Sequence, residues 1–247
     1  MDQIIGKNII SRQSLDSTNE YASDLIKSGS VSEGTVVVAD YQTSGKGQHG
    51  NIWIGDTGKN LYLSIILSPG KLRIEDQFYL SMAISLGVFD ALSALFDSIS
   101  LKWPNDIYYQ DKKLGGILIE NSVAGAFINS SVAGIGINVN QLEFPASLPN
   151  PVSVIQITGK KSDLTSLLNI ILKYTDDRYQ LLLEGEISKL KNDYLKALYK
   201  FDTFCQFEAD GEVFSAKITD VKSTGELVVE TSEGVKKSYW FKEIEYR

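Results

Sequence analysis

Lys102-Trp103-Pro104-Asn105-Asp106 stands a few residues ahead of Lys113-Leu114-Gly115-Gly116-Ile117-Leu118-Ile119-Glu120. Residues 101–103, 107–109, 116–120 and 127–140 read as consecutive short strands with tight connections, a run that implies antiparallel pairing. Upstream, residues 35–42 and 60–67 are β-branched and aromatic runs that read as strands flanking a long loop, 43–59. Ser17-Thr18-Asn19-Glu20 reads as a capping box, backed by the apolar stripe Tyr21, Ala22, Leu25 and Ile26 and stopped by Gly29. Helical spacing recurs over 77–96, 163–184 and 187–199, with Gly185 between the last two. Strands that cluster instead of alternating with helices predict an α+β class, with a mixed, largely antiparallel sheet packed by helices. From Phe204 onward, short strands punctuated by Asp210-Gly211, Thr224-Gly225 and Glu233-Gly234 predict a small barrel. A boundary near Lys200 divides the chain into 1–199 and 200–247.

Composition narrows the functions open to the chain. Its 247 residues carry 31 acidic and 24 basic side chains, a formal charge of −7, which opposes binding to DNA or to an anionic membrane surface. Residues 201–247 hold six basic and ten acidic side chains, leaving −3 for the preceding part, so neither portion is basic. One cysteine, Cys205, excludes an internal disulfide, and with the single histidine, His49, it supplies no zinc ligand set. Any metal must then be held by oxygens. The start, Met1 to Lys7, lacks a basic segment followed by an apolar run, and no window approaches the roughly 20 apolar residues of a membrane span. The chain reads as soluble and cytoplasmic, so Asn129-Ser130-Ser131 is not read as a glycosylation site.

Gly45-Lys46-Gly47-Gln48-His49-Gly50 matches the dinucleotide fingerprint in letters only, because loop-like sequence follows where a helix should. Its glycines let backbone amides wrap an anion beside Lys46, or they belong to a surface loop. Lys102 and Lys113 are each compatible with an exposed strand edge. A hairpin at 109–112, however, brings Lys102, Asn105 and Asp106 near Lys113, a mixed-charge cluster suited to ATP phosphates and Mg²⁺. Trp53 and Trp103 read either as core aromatics or as stacking walls for a ligand. Gly134-Ile135-Gly136-Ile137-Asn138 combines close backbone approach with an amide able to read a purine edge, or is a β-bulge. There is no Gly-x-Ser-x-Gly elbow or Walker A pattern, and His49 has no neighbouring nucleophile. Lysines, amides and glycines act by positioning and charge neutralisation, which suits attack by a substrate oxyanion on a phosphorus of ATP.

Taken together and in order, Ser17-Thr18-Asn19, Gln42 with the loop from Gly45 to Trp53, Lys102 to Asp106, Lys113 to Glu120 and Gly134 to Asn140 resemble the biotin protein ligases. The resemblance implies a class II aminoacyl-tRNA synthetase-like catalytic fold and an SH3-like C-terminal barrel. It implies activation of biotin by MgATP to biotinyl-5′-AMP, then transfer to a lysine of a biotin carboxyl carrier domain of acetyl-CoA carboxylase or a related enzyme. By the family's pattern, Ser17, Thr18, Asn19, Gln42, Gly45, Lys46, Lys113, Gly116, Leu118, Gly134 and Gly136 would bind biotin. Gly47, Gln48, Asn51, Trp53, Lys102, Asn105, Lys113 and Asn138 would bind ATP or the adenylate. Lys113, Asp106 and Lys46 would be catalytic, Asp106 accepting the proton of the incoming lysine, and Asn105 with Asp106 would order Mg²⁺ together with the phosphates. No tightly bound cofactor is implied. Lys46, Gln48 and Asn51 stand where the family often has arginine, so bidentate phosphate clamping is lost and leakier release of the adenylate is expected. Family members that also repress transcription carry a winged helix ahead of the catalytic part. Only about a strand's length precedes Ser17 here, so the expectation is a ligase alone, with a homodimer through exposed strand edges left open. The rivals are a lipoate or octanoate ligase and a non-catalytic biotin sensor.

Overall fold

The computed structural model describes residues 2–247, except for the side chain of His49; Met1 and that side chain lie outside the described residues. Seven strands make one sheet: β1 (Ile9–Leu15), β2 (Val36–Gln42), β3 (Leu61–Leu67), β4 (Ile99–Lys102), β5 (Asp106–Tyr109), β6 (Lys112–Ala124) and β7 (Phe127–Ile137). Their order is β1-β2-β3-β7-β6-β5-β4. Only β1 and β2 run parallel; every other neighbour is antiparallel. The mixed sheet expected from the clustered strands is therefore observed.

Helices cover both faces. α1 (Thr18–Ser28) ends at Gly29, whose left-handed backbone (φ 68°) returns N–H bonds to Ile26 and Leu25, the conformation glycine adopts most readily. Its Ala22 packs with Val37, Ile66 and Val132 on one face of the sheet. On the other face lie α2 (Phe78–Ser93), α4 (Leu164–Leu183) and α5 (Ile187–Ala197), reached after the single-turn α3 (Val154–Thr158). β3 is buried along its whole length, which accounts for an apolar run without alternation. Sequence periodicity gave no sign of α3, whose capping box is Ser153 with Gln156. The expected strand 127–140 ends at Ile137, leaving Asn138 beyond the ladder.

A second sheet holds β8 (Cys205–Ala209), β9 (Glu212–Val221), β10 (Leu227–Thr231), β11 (Lys236–Tyr239) and β12 (Glu245–Tyr246), in the order β11-β10-β9-β8-β12. All pairings are antiparallel. Among the described residues no ladder joins β11 to β12, so the expected barrel takes the form of an antiparallel sheet without closure by strand pairing. Trp103 ties this sheet to the first: its indole N–H donates to the Gly225 carbonyl at 2.9 Å and its ring meets Phe241 edge-on. The Phe78 N–H adds a bond to the Ser223 carbonyl. Trp103 is thus a buried aromatic that also lines a cavity between the two sheets.

Candidate active site

A cavity of about 330 Å³ opens where the first sheet, the loop 43–59 and the second sheet meet. The first sheet and its loops contribute Ser17 to Asn19, residues between Gln42 and Trp53, Leu63, Lys102 to Asp106, residues between Lys113 and Leu118, and Gly134 to Gly136.

One end is a hydrogen-bonded polar cluster. Helix α1 starts so that Thr18 donates twice to Gln42 Oε1, from its N–H at 2.8 Å and its hydroxyl at 3.1 Å. Asn19 Nδ2 donates to Glu120 at 2.7 Å and to the Leu118 carbonyl at 3.3 Å. Beneath them the wholly buried Ser64 hydroxyl lies 2.6 Å from Asn19 Oδ1 and 2.8 Å from Thr18 Oγ1. Both are acceptors for the single Ser64 proton, Thr18 having given its own to Gln42, and the Asn19 amide is oriented by its Nδ2 bonds to Glu120 and Leu118. Ser17, the N-cap, makes no side-chain cap bond and lines the cavity. Sequence reasoning missed Ser64; its one available signal was a lone aliphatic hydroxyl inside the apolar run Leu61 to Leu67.

The floor is a strip of sheet without side chains, and the structure assigns its glycines. A Cβ on Gly136 would stand 2.6 Å from Trp53 Cε2, and one on Gly116 would stand 3.0 Å from Trp53 Cζ3. A Cβ on Gly134 would collide with Asn19 Oδ1. These glycines therefore seat the indole and the Asn19 amide. The Trp53 indole N–H is buried and unpartnered among the described residues, as is Gln48 Oε1, both in the loop that lines the cavity. An orphaned buried donor and acceptor are costly in a finished core and natural in a site that a polar ligand completes.

The loop itself is a short hairpin. Trp53 N–H donates to Gly45 O at 2.8 Å, Gly47 N–H donates to Asn51 O at 2.7 Å, and Lys46 bridges Ile52 between them. Lys46 Nζ lies 2.6 Å from Glu20 Oε1 on α1, and that bond raises the ammonium's pKa. Gly45 supports the hairpin without lining the cavity.

The third wall carries charge. Lys113 Nζ sits 2.7 Å from Asp106 Oδ1 and 5.6 Å from the Trp53 ring centre. Asn105 is fixed by two bonds to Ile117, donating its amide to the carbonyl at 2.8 Å and accepting the N–H on its own carbonyl at 2.9 Å. Lys102 Nζ donates to the Tyr108 hydroxyl at 3.1 Å and lies over the rings of Tyr108 and Tyr246, 4.8 and 5.2 Å from their centres. Burial raises the Tyr246 phenol's pKa, keeping it neutral beneath the ammonium. The second sheet supplies the remaining wall through Phe207, Leu227, Phe241, Ile244, Glu245 and Tyr246, residues that no local motif singles out.

Two sequence expectations need correction. Asn138, read as a contact for adenine, is buried outside this cavity, its amide donated to the Val152 carbonyl at 3.1 Å. The capping box read at Ser17 and Glu20 does not form: Ser17 makes no side-chain cap bond, and Glu20 pairs with Lys46 instead. As for a metal, no group of three histidine, cysteine, aspartate or glutamate side chains among the described residues could hold one. The Asp106 carboxylate and Asn105 are the oxygen donors at hand, a set that suits Mg²⁺ arriving with a triphosphate. Among the described residues no helix is long and apolar enough to cross a membrane.

The sequence profile of the Biotin/lipoate A/B protein ligase family matches residues 11–138. The bifunctional ligase/repressor BirA of Bacillus subtilis is 32% identical over 243 residues, which make up 96% of this chain and 74% of that protein. The biotin--[acetyl-CoA-carboxylase] ligase of Mycobacterium tuberculosis is 30% identical over 188 residues, covering 72% of this chain and 68% of the relative. Among solved structures, the biotin protein ligase from Aquifex aeolicus in complex with biotin and ATP aligns with a TM-score of 0.80 and 30% identity, covering 98% of this chain and 99% of that one. On the match over more than half its length and on these relatives, the chain belongs to the biotin/lipoate A/B protein ligase family.

Proposed function

We propose that this protein is an ATP-dependent biotin protein ligase. Biotin's carboxylate oxygen attacks the α-phosphorus of ATP, forming biotinyl-5′-AMP and expelling pyrophosphate. An acceptor lysine of a biotin carboxyl carrier domain then attacks the adenylate's carbonyl carbon, forming the amide and releasing AMP. The observation that carries this reading is the Lys113–Asp106 pair at 2.7 Å in the same cavity as the Thr18–Gln42 cluster and the glycine loop. A small polar acid and a triphosphate can meet there with an ammonium between their charges.

Each residue has a proposed task. Ser17, Thr18, Asn19 and Gln42, with Leu118 beside them, hold biotin's polar groups, and the Trp53 indole covers its apolar body. Lys113 neutralises the negative charge that accumulates as the carboxylate approaches the α-phosphate. Lys46, Lys102 and the side-chain amide of Asn51 take the phosphates, which the side-chain-free Gly47 lets approach, and Asn105 with Asp106 contacts the metal of MgATP. In the second half-reaction Asp106, relieved of Lys113, accepts the proton of the attacking amine. Residues 1–199 form the catalytic unit, to which residues 200–247 add one wall. The proposal extends to a cytoplasmic setting, where the single Cys205 stays a free thiol, and to a homodimer at the outer edge of β1.

Biotin-dependent exchange of labelled pyrophosphate into ATP tests the first step. Mass spectrometry of a carrier fragment after incubation with biotin and MgATP tests the second, expecting the gain of one biotin moiety. Absence of exchange by well-folded protein overturns the reading, and preference for lipoate or octanoate over biotin in competition replaces it with the rival acid.

A further inference from the structure

Outside the cavity, and beyond residue 138 where the family match ends, Gln141 grips the loop that closes the site. It is 2% exposed and absent from the cavity wall. Its side-chain carbonyl accepts the Asp56 N–H at 3.0 Å, three residues after Trp53, and also the Asn60 amide at 2.6 Å. Its own amide donates to the Glu143 carbonyl at 2.8 Å, and its backbone carbonyl accepts the Ser153 hydroxyl at 2.5 Å. The Asn60 amide also donates to the Tyr62 hydroxyl at 2.9 Å, and the Asn60 carbonyl accepts the Val139 N–H at 3.0 Å. Above this network lies Gly55, where a Cβ would collide with Tyr62 OH and stand 2.6 Å from Asn60 Nδ2. A buried glutamine with its polar atoms satisfied is held in one orientation, so the loop lands at a defined place.

We infer that Gln141 is a positioning residue for the ligand loop: by holding the Asp56 N–H it sets where the Trp53 indole rests on Gly116 and Gly136. The inference rests on the ligase reading for its consequence in catalysis, but not for its geometry. Three extended residues span only about 10 Å, so a loop end that shifts by an ångström moves the indole with it. At its other end the loop is tied by Thr43 and Ser44 N–H bonds to the Leu15 and Asp16 carbonyls. Releasing Gln141 therefore loosens one end of the loop and leaves the rest of the sheet in place.

The test uses Gln141→Met, which keeps the shape and removes both donor and acceptor. Trypsin cleavage after Lys46, in the unliganded full chain, should speed up about tenfold, the opening expected when, of the three side-chain bonds lost, the one to the loop's Asp56 N–H goes. Cleavage after Lys71, in an exposed turn elsewhere, is the internal reference and should not change. With ligands, the KM for biotin should rise by about the same factor while the single-turnover rate at saturation holds. Gly55→Ala, which lifts the same segment by collision and removes no buried amide, should give the same pattern and stands in if the methionine variant fails to fold. Unchanged cleavage at Lys46, or parallel acceleration at Lys46 and Lys71, overturns the inference. Selective cleavage at Lys46 in a protein without pyrophosphate exchange overturns the ligase reading and leaves the positioning role standing.

Discussion

Lys113 Nζ and Asp106 Oδ1 lie 2.7 Å apart, held on neighbouring strands β6 and β5. The ammonium that would meet a carboxylate and a phosphate already has an anionic partner, so Lys113 is not a bare charge in the resting site. Binding of the two substrates exchanges one carboxylate for others, and Asp106 becomes available as a base.

Lys113→Ala should remove both half-reactions. A preorganised cation at a developing charge is worth roughly 10²–10³ in rate, so pyrophosphate exchange should fall by about that factor. Asp106→Asn should retain exchange better and lose transfer from preformed biotinyl-5′-AMP to a carrier fragment. Single-turnover measurements of each half separate the two, and equal losses in both halves for Asp106→Asn would remove it from the role of base.

Trp53 on its two glycines predicts a steric experiment. Gly136→Ala places a methyl 2.6 Å from the indole and should push it off the sheet. Trp53→Ala deletes it. Large aromatic side chains bury about 150–250 Å² each, so both changes should weaken biotin binding by an order of magnitude or more, at little cost to the melting temperature. Isothermal titration with biotin, paired with thermal melts, reads both quantities.

How far the site was legible in the sequence depends on how near each partner lies along the chain. Lys102, Asn105, Asp106 and Lys113 were readable because a hairpin of four residues brings them together. The polar cluster was readable in part: Thr18 and Asn19 carried a helix start, whereas Ser64 comes from a strand far along the chain. Tyr246 was invisible, since nothing local to the last strand says that it will lie beneath Lys102. The glycines announced close approach without saying what approaches, which is the Trp53 indole at Gly116 and Gly136 and the Asn19 amide at Gly134. Asn138 was misread because the ladder ends one residue earlier and Val152 claims its amide.

Gln48 tests the arginine-poor loop. Its Oε1 is buried without a partner, and an amide offers the phosphate only a weak neutral donor. Gln48→Arg supplies a charge-assisted, forked donor. The lifetime of bound biotinyl-5′-AMP should lengthen about tenfold or more, the value of one hydrogen bond to a charged group. A chase of labelled adenylate measures it, and equal lifetimes would mean that the loop's residue at this position never meets the phosphate.

Tyr62 gives a pH test of the loop's footing. Burial pushes its phenol up to about 12, from an ordinary 10.0. The folded state then holds the proton more tightly than the unfolded chain, so the stabilisation is complete below the unfolded value. It is lost as pH rises through the window between the two. Tyr62→Phe should therefore flatten the fall in melting temperature across that window, relative to the parent.

Glu20 and Lys46 form a pair at 2.6 Å with both side chains roughly half exposed, 48% and 42%. Such pairs contribute only about 0.2–1 kcal/mol, so Glu20→Gln should leave the melting temperature nearly unchanged. Its effect lies in competition. While Glu20 holds Lys46, a phosphate must displace a carboxylate to gain that ammonium; with glutamine there, the cation is free and the KM for MgATP should fall. Lys46→Ala should raise the same KM, and in its background the Glu20→Gln change should have no further effect. A double-mutant cycle on KM for MgATP measures this coupling. Additive effects of the two substitutions would mean that the pair only decorates the loop's surface and that the phosphates are held by Lys102 and the Asn51 side-chain amide instead.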